Sequence, residues 1–130
     1  MIEIKKCAEK NIFEHFGIEQ ADGIEVMAAK EGDEIFGIGA ALIEGNSALL
    51  LKIETKDEYK MFNMDFGIAK SVLNMLDLQG VRYVFSDLSD KRLMTALGFK
   101  ENFDIPEDAK EFTDKKYFLC LDGYFTAHEC

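Results

Sequence analysis

The sequence predicts a mixed α/β fold of the α+β kind, with a central, mixed and mostly antiparallel sheet flanked by three helices. Apolar residues alternate in the segments that should be strands and recur every three or four residues in three that should be helices. Short glycine-containing connections between three successive strands indicate antiparallel hairpins. With 130 residues, 48% of them apolar, the chain can bury a core, so we expect residues 1–130 to form a single domain.

The first half of the chain should supply a strand, a helix and a three-stranded meander. The segment IEIKKC at residues 2–7 alternates as a short strand does. In the segment AEKNIFEHF that follows it, apolar residues lie at helical spacing: Ala8, Ile12, Phe13 and Phe16. Strands should then occupy residues 23–30, 34–43 and 47–54. The last contains ALLLKI, which is apolar on both faces, so we expect it in the middle of the sheet.

The second half should begin with a longer helix and a parallel strand. From Asp65 the apolar period becomes that of a helix, and Gly80 is the expected stop. The segment VRYVFS at residues 81–86 reads as a strand. Because a single helix connects it to ALLLKI, the two strands should be parallel neighbours.

A short helix and two closing strands complete the predicted order. The helix should be capped by Ser89 and closed by Gly98. Its apolar face should contain Leu93, Ala96 and Leu97. FKENFD at residues 99–104 and KKYFLCLD at residues 115–122 should be the closing strands.

Composition and charge narrow the classes of function. The formal net charge is −10, with 25 acidic and 15 basic side chains, so the chain should repel phosphate backbones and not bind nucleic acid. A cationic partner such as an amine is favoured, although acidic surfaces more often serve only solubility. The three cysteines are odd in number and in no CxxC spacing, which indicates a reducing compartment. No segment has the ~20 apolar residues of a membrane span, so we expect a cytoplasmic protein that does not bind membranes.

The order of elements, together with the segment LMTALGFKE at residues 93–101, resembles the GNAT superfamily of N-acetyltransferases. In that family a helix after the fifth strand ends in a leucine-glycine-phenylalanine turn, matched here by Leu97, Gly98 and Phe99. Gly37 lies where members often have a glycine beside a bend in the third strand. At residue level the resemblance is specific from about Leu49 to Phe99.

The resemblance implies acetyl-CoA as the cofactor. In the family, acyl-CoA lies where the fourth and fifth strands separate, and its pyrophosphate lies at the amino end of the helix after the fourth strand. The first N–H groups of a helix lack internal partners and, with the helix dipole, form an anion site. The implied cofactor-binding residues are the strand residues Lys52, Ile53 and Glu54 and the helix residues Gly67, Ile68, Ala69 and Lys70.

The implied phosphate motif departs from the family pattern, which is Arg or Gln, two residues of any kind, Gly, one of any kind, then Gly or Ala. Gly67 and Ala69 fit, but Met64 replaces the Arg or Gln and Asp65 opposes a phosphate. Asp65 has a structural interpretation as a helix cap, a role that stabilises by roughly 1 kcal/mol. Gly67 costs a helix up to about 1 kcal/mol, so a ligand or another backbone should approach it closely. Compensating charge could come from Lys56, Lys60 and Lys70.

Glu54 is the catalytic residue that the resemblance implies, as the base that accepts the amine proton; an exposed strand-end carboxylate is the alternative. The family's tyrosine acid falls on Met94, which cannot donate a proton, and its asparagine after the fifth strand falls on Asp87. Tyr59 or Tyr83 could donate instead, although Tyr83 should be a packing residue. Release of the thiolate into water does not strictly require an acid.

Other chemistry is weakly indicated. Cys120 should pack as a small apolar residue within its strand. A metal site built from His128, Glu129 and Cys130 would lie on a chain terminus, so we expect none.

Two hypotheses follow. The first is an N-acyltransferase that transfers acetyl from acetyl-CoA to the amine of a small molecule or peptide. The second is a catalytically inactive binding or assembly module of the same fold, which could form a homodimer through exposed sheet edges. The sequence does not identify the acceptor.

Overall fold

The computed structural model describes residues 2–57 and 63–125. The elements in this part of the chain are β1 (Glu3–Cys7), α1 (Lys10–His15), β2 (Ile24–Glu31), β3 (Glu34–Glu44), β4 (Ser47–Thr55), α2 (Met64–Leu78), β5 (Tyr83–Ser86), α3 (Lys91–Leu97) and β6 (Tyr117–Cys120). The mixed α/β fold and the three helices are therefore confirmed.

The six strands form one sheet in the order β1-β2-β3-β4-β5-β6. Every neighbouring pair is antiparallel except β4 and β5, which are parallel and joined through α2. The predicted meander and parallel step are thus confirmed. The run ALLLKI in β4 is an inner strand, as its apolar faces require.

The helices cover opposite faces of the sheet. Val26 and Ala28 of β2 pack against α1, whereas Met27 and Ala29 pack with residues of α2. Successive strand side chains point to opposite faces, so α1 lies on one face and α2 on the other. We call these the α1 face and the α2 face. α3 joins α2, since Leu93, Met94 and Leu97 belong to the same core as Val72 and Leu73.

The predicted closing strand at residues 99–104 is wrong. Only Lys100 pairs with β6, as a single bridge to Phe118, and residues 101–116 form no strand or helix. Phe103 stacks on Phe118 with ring centroids 5.1 Å apart, so its side chain is partly covered by ring packing rather than by strand pairing. The hydroxyl of Tyr83 donates to Asp108 Oδ1 at 2.6 Å and fastens the same segment to β5.

Both predicted helix caps are wrong by one or two residues. The N-cap of α2 is Asn63, with φ of 56°, and Asp65 lies in the first turn, where it accepts the Phe66 N–H at 2.8 Å. The N-cap of α3 is Asp90, which accepts the Leu93 N–H at 3.0 Å in place of Ser89. Aspartate and serine cap about equally well, so sequence alone does not choose between adjacent ones.

Three residues expected to be buried are exposed. Ala8 precedes the first residue of α1, and Ala96 lies beside a cleft. Cys120 alternates with the buried Leu119 and Leu121 and therefore faces outward, so the prediction that it packs inside is wrong. α2 has 15 residues, and no helix within the described residues is long and apolar enough to span a membrane.

Candidate functional site

A cleft opens where β4 continues beyond the end of β5. Leu50 lies opposite Ser86, the last residue of β5, while β4 extends to Thr55. Ser86 Oγ donates to the Leu50 carbonyl at 3.0 Å and closes the paired region. Beyond it the cleft has a volume of about 610 Å³ and is bounded by β4, the start of α2 and α3. Its lining consists of Ile53, Glu54, Thr55, Asn63, Asp65, Phe66, Asp90, Arg92, Leu93 and Ala96.

The peptide groups of Ile53 and Thr55 face this cleft. Gly37 of β3 approaches β4 so closely that a Cβ there would lie 2.6 Å from the Glu54 carbonyl oxygen, and the Lys56 N–H bonds to Phe36 O at 2.9 Å. Glu54 and Lys56 therefore direct their peptide groups toward β3. Since alternate strand residues bond to opposite neighbours, Ile53 and Thr55 direct theirs toward the side where β5 has ended.

The β4 side chains alternate across the sheet at the same place. Gly37 lies opposite Thr55, and a Cβ on Gly37 would lie 2.8 Å from Ile68 Cδ1 of α2. Paired residues share a face, so the Thr55 side chain is on the α2 face and that of Glu54 is on the α1 face. The cleft thus gives access to both faces where the sheet is open.

Thr55 carries an orphaned polar atom. The residue is 4% exposed, and Oγ1 is buried with no hydrogen-bond partner among residues 2–57 and 63–125. A buried hydroxyl without a partner costs about 1–3 kcal/mol, so it stands out among the described residues that line the cleft.

The first turn of α2 contributes open backbone donors. The Gly67 N–H bonds to the Asn63 carbonyl at 3.3 Å, and the Phe66 N–H is taken by Asp65. Helix geometry leaves the N–H groups of Met64 and Asp65 without partners within α2. These two donors are three and two residues before Gly67, and five and four residues before Ala69.

The implied cofactor-binding residues divide into two groups. Ile53 and Glu54 line the cleft. Lys52 Nζ instead donates to the Phe16 carbonyl at 2.7 Å, at the end of α1, and lies 3.8 Å from Glu54 Oε1. The Lys52 side chain thus orients Glu54 on the α1 face.

The helix residues of the implied site lie outside the lining. Ile68 and Ala69 are fully buried in the core. Lys70 Nζ lies 4.6 Å from the Tyr124 ring centroid and 5.4 Å from that of Phe125. Among the described residues, a Cβ on Gly67 would meet Ile4 Cδ1, at 3.8 Å, and no backbone atom of another element, so no described backbone packs against Gly67 as one interpretation predicted. Lys60 and Tyr59 lie outside the described residues.

The charges at the cleft are mostly negative. Among the described lining residues, three are acidic, Glu54, Asp65 and Asp90, and one is a cation, Arg92. Arg92 is not among the site residues predicted from the sequence, because a compensating cation was expected near the start of α2 and not in the first turn of α3. Its position in the helix after β5 could have indicated Arg92, because the fold places that helix beside the same cleft.

Glu54 is the best-placed proton acceptor in the cleft. Asp65 and Asp90 accept hydrogen bonds from backbone N–H groups, whereas the Glu54 side chain is 50% exposed and its Oε1 lies 3.8 Å from Lys52 Nζ. Met94, at the family's acid position, is fully buried in the core. Asp87 accepts the Lys116 N–H at 2.7 Å and has a structural role.

Tyr83 is unsuited to the role of acid. It lies at the first residue of β5, opposite Ser47, whereas the cleft is at the other end of β4. Its hydrogen bond to the Asp108 carboxylate raises the pKa of Tyr83 to about 12. The described cleft lining therefore holds carboxylates that could accept a proton but no tyrosine or cysteine that could donate one. No group of three potential metal ligands occurs within residues 2–57 and 63–125; His128, Glu129 and Cys130 lie outside that part.

At the level of sequence, no family model and no curated protein matches the chain. Solved structures do match, and they include acetyltransferases of the GNAT family. The ribosomal-protein-S18-alanine N-acetyltransferase of Escherichia coli is similar with a TM-score of 0.70 and 15% identity, over 93% of this chain and 94% of that one. The chain therefore has the GNAT fold.

Two other structural matches carry a bound molecule. The PaiA N-acetyltransferase of Thermoplasma acidophilum, solved in complex with coenzyme A, is similar with a TM-score of 0.56 and 13% identity, over 82% of this chain and 63% of that one. KacTA, solved in a complex with DNA, is similar with a TM-score of 0.68 and 11% identity, over 99% of both chains.

Proposed function

We propose that residues 1–130 form a single-domain, cytoplasmic N-acyltransferase that transfers acetyl from acetyl-CoA to an amine on a small molecule or peptide. The GNAT fold and the coenzyme A complex of one structural neighbour support an acyl-CoA site in general. The observation that carries the proposal is the cleft beyond Ser86, where open peptide groups of β4 face the first turn of α2.

The residues present fit acetyl-CoA through backbone groups. Peptide groups of Ile53 and Thr55 would pair with the amides of its pantetheine arm. The N–H groups of Met64 and Asp65, with the dipole of α2, would hold a phosphate, and Arg92 would add the positive charge. The Asp65 carboxylate opposes that phosphate, so the fit is one of shape and hydrogen bonding more than of charge.

The chain's own chemistry centres on Glu54. Acetyl-CoA supplies an acyl carbon joined to a thiol leaving group. Glu54 would take a proton from the amine, directly or through water, as the nitrogen–carbon bond forms and the carbon–sulfur bond breaks. The departing thiolate would take its proton from water, because the described cleft residues offer no tyrosine or cysteine donor.

The acidic character favours a cationic acceptor. The net charge of −10 attracts a protonated amine from a distance, and the carboxylates of Glu54 and Asp90 add negative charge at the cleft itself. The same charge opposes binding of DNA, the molecule seen with KacTA.

A second function, a catalytically inactive binding or assembly module, is favoured by Met94 and Asp65. Met94 puts a fully buried thioether where the family has its acid, and Asp65 opposes the phosphate. Such a module would bind no acyl-CoA and could form a homodimer. Acetyl transfer to any member of a panel of primary amines, followed by mass spectrometry, would contradict it; size-exclusion chromatography tests the dimer.

Calorimetric titration of the protein with acetyl-CoA tests the binding step. We expect Asp65→Asn to tighten binding about twofold to fivefold, because a carboxylate at the phosphate end of α2 costs about 0.3–1 kcal/mol. Asp22→Asn is the matched control. It makes the same charge change just before β2, at the end of the sheet away from the cleft, and should leave the affinity unchanged. No binding by the native protein at millimolar acetyl-CoA would overturn the acyltransferase proposal.

A further inference from the structure

Thr55 lies at the junction of the two backbone surfaces that the cleft presents. It is the last residue of β4, and its side chain is on the α2 face, the face from which the first turn of α2 enters the cleft lining. Thr55 therefore lies in the same cleft lining as the exposed end of β4 and the first turn of α2.

The hydroxyl of Thr55 has no structural role within the described residues. In the part of the chain that the structure describes, Oγ1 has no hydrogen-bond partner, although the residue is only 4% exposed. Valine has nearly the same shape and would remove the cost of the orphaned oxygen, so packing alone does not account for a threonine. Thr55 lines the cleft, and rotation about its Cα–Cβ bond moves the hydroxyl between staggered positions.

We infer that Thr55 is a ligand-binding residue whose hydroxyl donates a hydrogen bond to a phosphate oxygen held at the amino end of α2. This inference rests on the proposed acyl-CoA site and assigns a side chain to it. α2 is 15 residues long, and Asn63 and Asp65, on either side of Met64, line the same cleft. Two amides and one hydroxyl would form a site that needs no basic side chain in the first turn of α2, where Asp65 stands.

Binding of two ligands separates this role from a structural one. Acetyl-CoA carries the phosphates, and S-acetylpantetheine carries the same arm without them. We expect Thr55→Val to weaken acetyl-CoA binding by about tenfold or more, as loss of a hydrogen bond to a charged group does, and to leave S-acetylpantetheine binding unchanged. Thr55→Ser keeps the hydroxyl and should bind both ligands as the native protein does.

Denaturation without ligand provides the second readout. Thr55→Val should be at least as stable as the native protein, because it removes an orphaned polar atom. If valine does not fold, Thr55→Ala removes the hydroxyl without adding bulk and serves the same comparison.

Three results would overturn parts of this account, and they differ from one another. If the native protein and the valine variant bind acetyl-CoA with equal affinity, the role of Thr55 alone is overturned. Equal weakening of both ligands would place the contact on the arm and overturn the phosphate assignment. No binding of either ligand by the native protein would overturn the acyl-CoA site itself, and the role of Thr55 with it.

Discussion

The hydrogen bond from Tyr83 to Asp108 links β5 to the irregular segment that covers it. The 2.6 Å contact holds the phenol in its protonated form and raises the pKa of Tyr83 from about 10 to about 12. A pKa that is higher in the folded state gives stability that is fully present below pH ~10. That stability is lost as the pH rises through ~12.

We therefore expect the ionisation of Tyr83, followed by NMR of a ¹³C-labelled tyrosine ring, to have its midpoint near 12. Asp108→Asn should lower this midpoint toward the ordinary value, because the anionic acceptor is gone. Tyr83→Phe identifies the resonance and should be less stable than the native protein by an amount that shrinks above pH ~10. A native midpoint near 10 would contradict the assigned contact.

Residue-level predictions from the sequence succeeded where one residue type has one physical role. Gly98 ends α3 with φ of 96°, which glycine adopts without strain. They failed where neighbours compete, as Asp90 did with Ser89. The orphaned hydroxyl of Thr55 could not be foreseen, because it depends on which atoms surround it.

At the scale of elements, the close packing of β3 on α2 depends on glycine. A Cβ on Gly39 would lie 2.7 Å from Val72 Cγ2 and 2.9 Å from Ile68 Cγ2, both on α2. Both are β-branched side chains with little rotamer freedom. The separation of α2 from the sheet, and thus the position of its first turn at the cleft, is set by this contact.

Gly39→Ala should therefore destabilise the fold by about 1–3 kcal/mol, since overpacking forces side chains and backbone to shift. Gly67→Ala is the matched control: its nearest heavy atom would be 3.8 Å away and it lies in a helix, so it should stabilise by about 0.5–1 kcal/mol. Urea denaturation of the two variants and the native protein measures both effects. Similar free energies for both variants would contradict the packing described for β3 and α2.

The order of elements was predictable because the apolar residues of most segments recur with the period of either a strand or a helix. The meander and the α2–β5 step show clean alternation or helical spacing, and both are confirmed. The segment at residues 99–104 alternates too, but Phe103 finds its apolar contact on Phe118 and Phe85, so pairing with β6 stops at Lys100. Long-range packing of one side chain overrode the local pattern there.

At the scale of the whole molecule, the net charge of −10 sets how ligands approach. Acetyl-CoA is an anion, so the protein repels it at long range, and salt screens that repulsion. We expect its affinity to rise between about 20 and about 200 mM NaCl, whereas uncharged S-acetylpantetheine should bind equally at both concentrations. A steep loss of acetyl-CoA affinity with salt would show that cations dominate the site and contradict the backbone-based site.

The site was predictable from the sequence only as a region. The resemblance to the GNAT superfamily predicts a site at the end of β4 and the start of α2, where the cleft lies. The residues that line the cleft depend on where α2 begins, at Met64, and on the packing of α3, which contains Arg92, beside it. Both depend on the folded structure. Whether ligands bind there is a proposal.

The central claim is that acetyl-CoA binds in the cleft between the end of β4 and the first turn of α2. A ¹H–¹⁵N NMR titration of the native protein tests it most directly. We predict that the largest shifts occur at the amides of Ile53, Thr55, Met64 and Asp65, with little change in β1 and β2. No shifts at millimolar acetyl-CoA, or shifts confined to another surface, would contradict the claim.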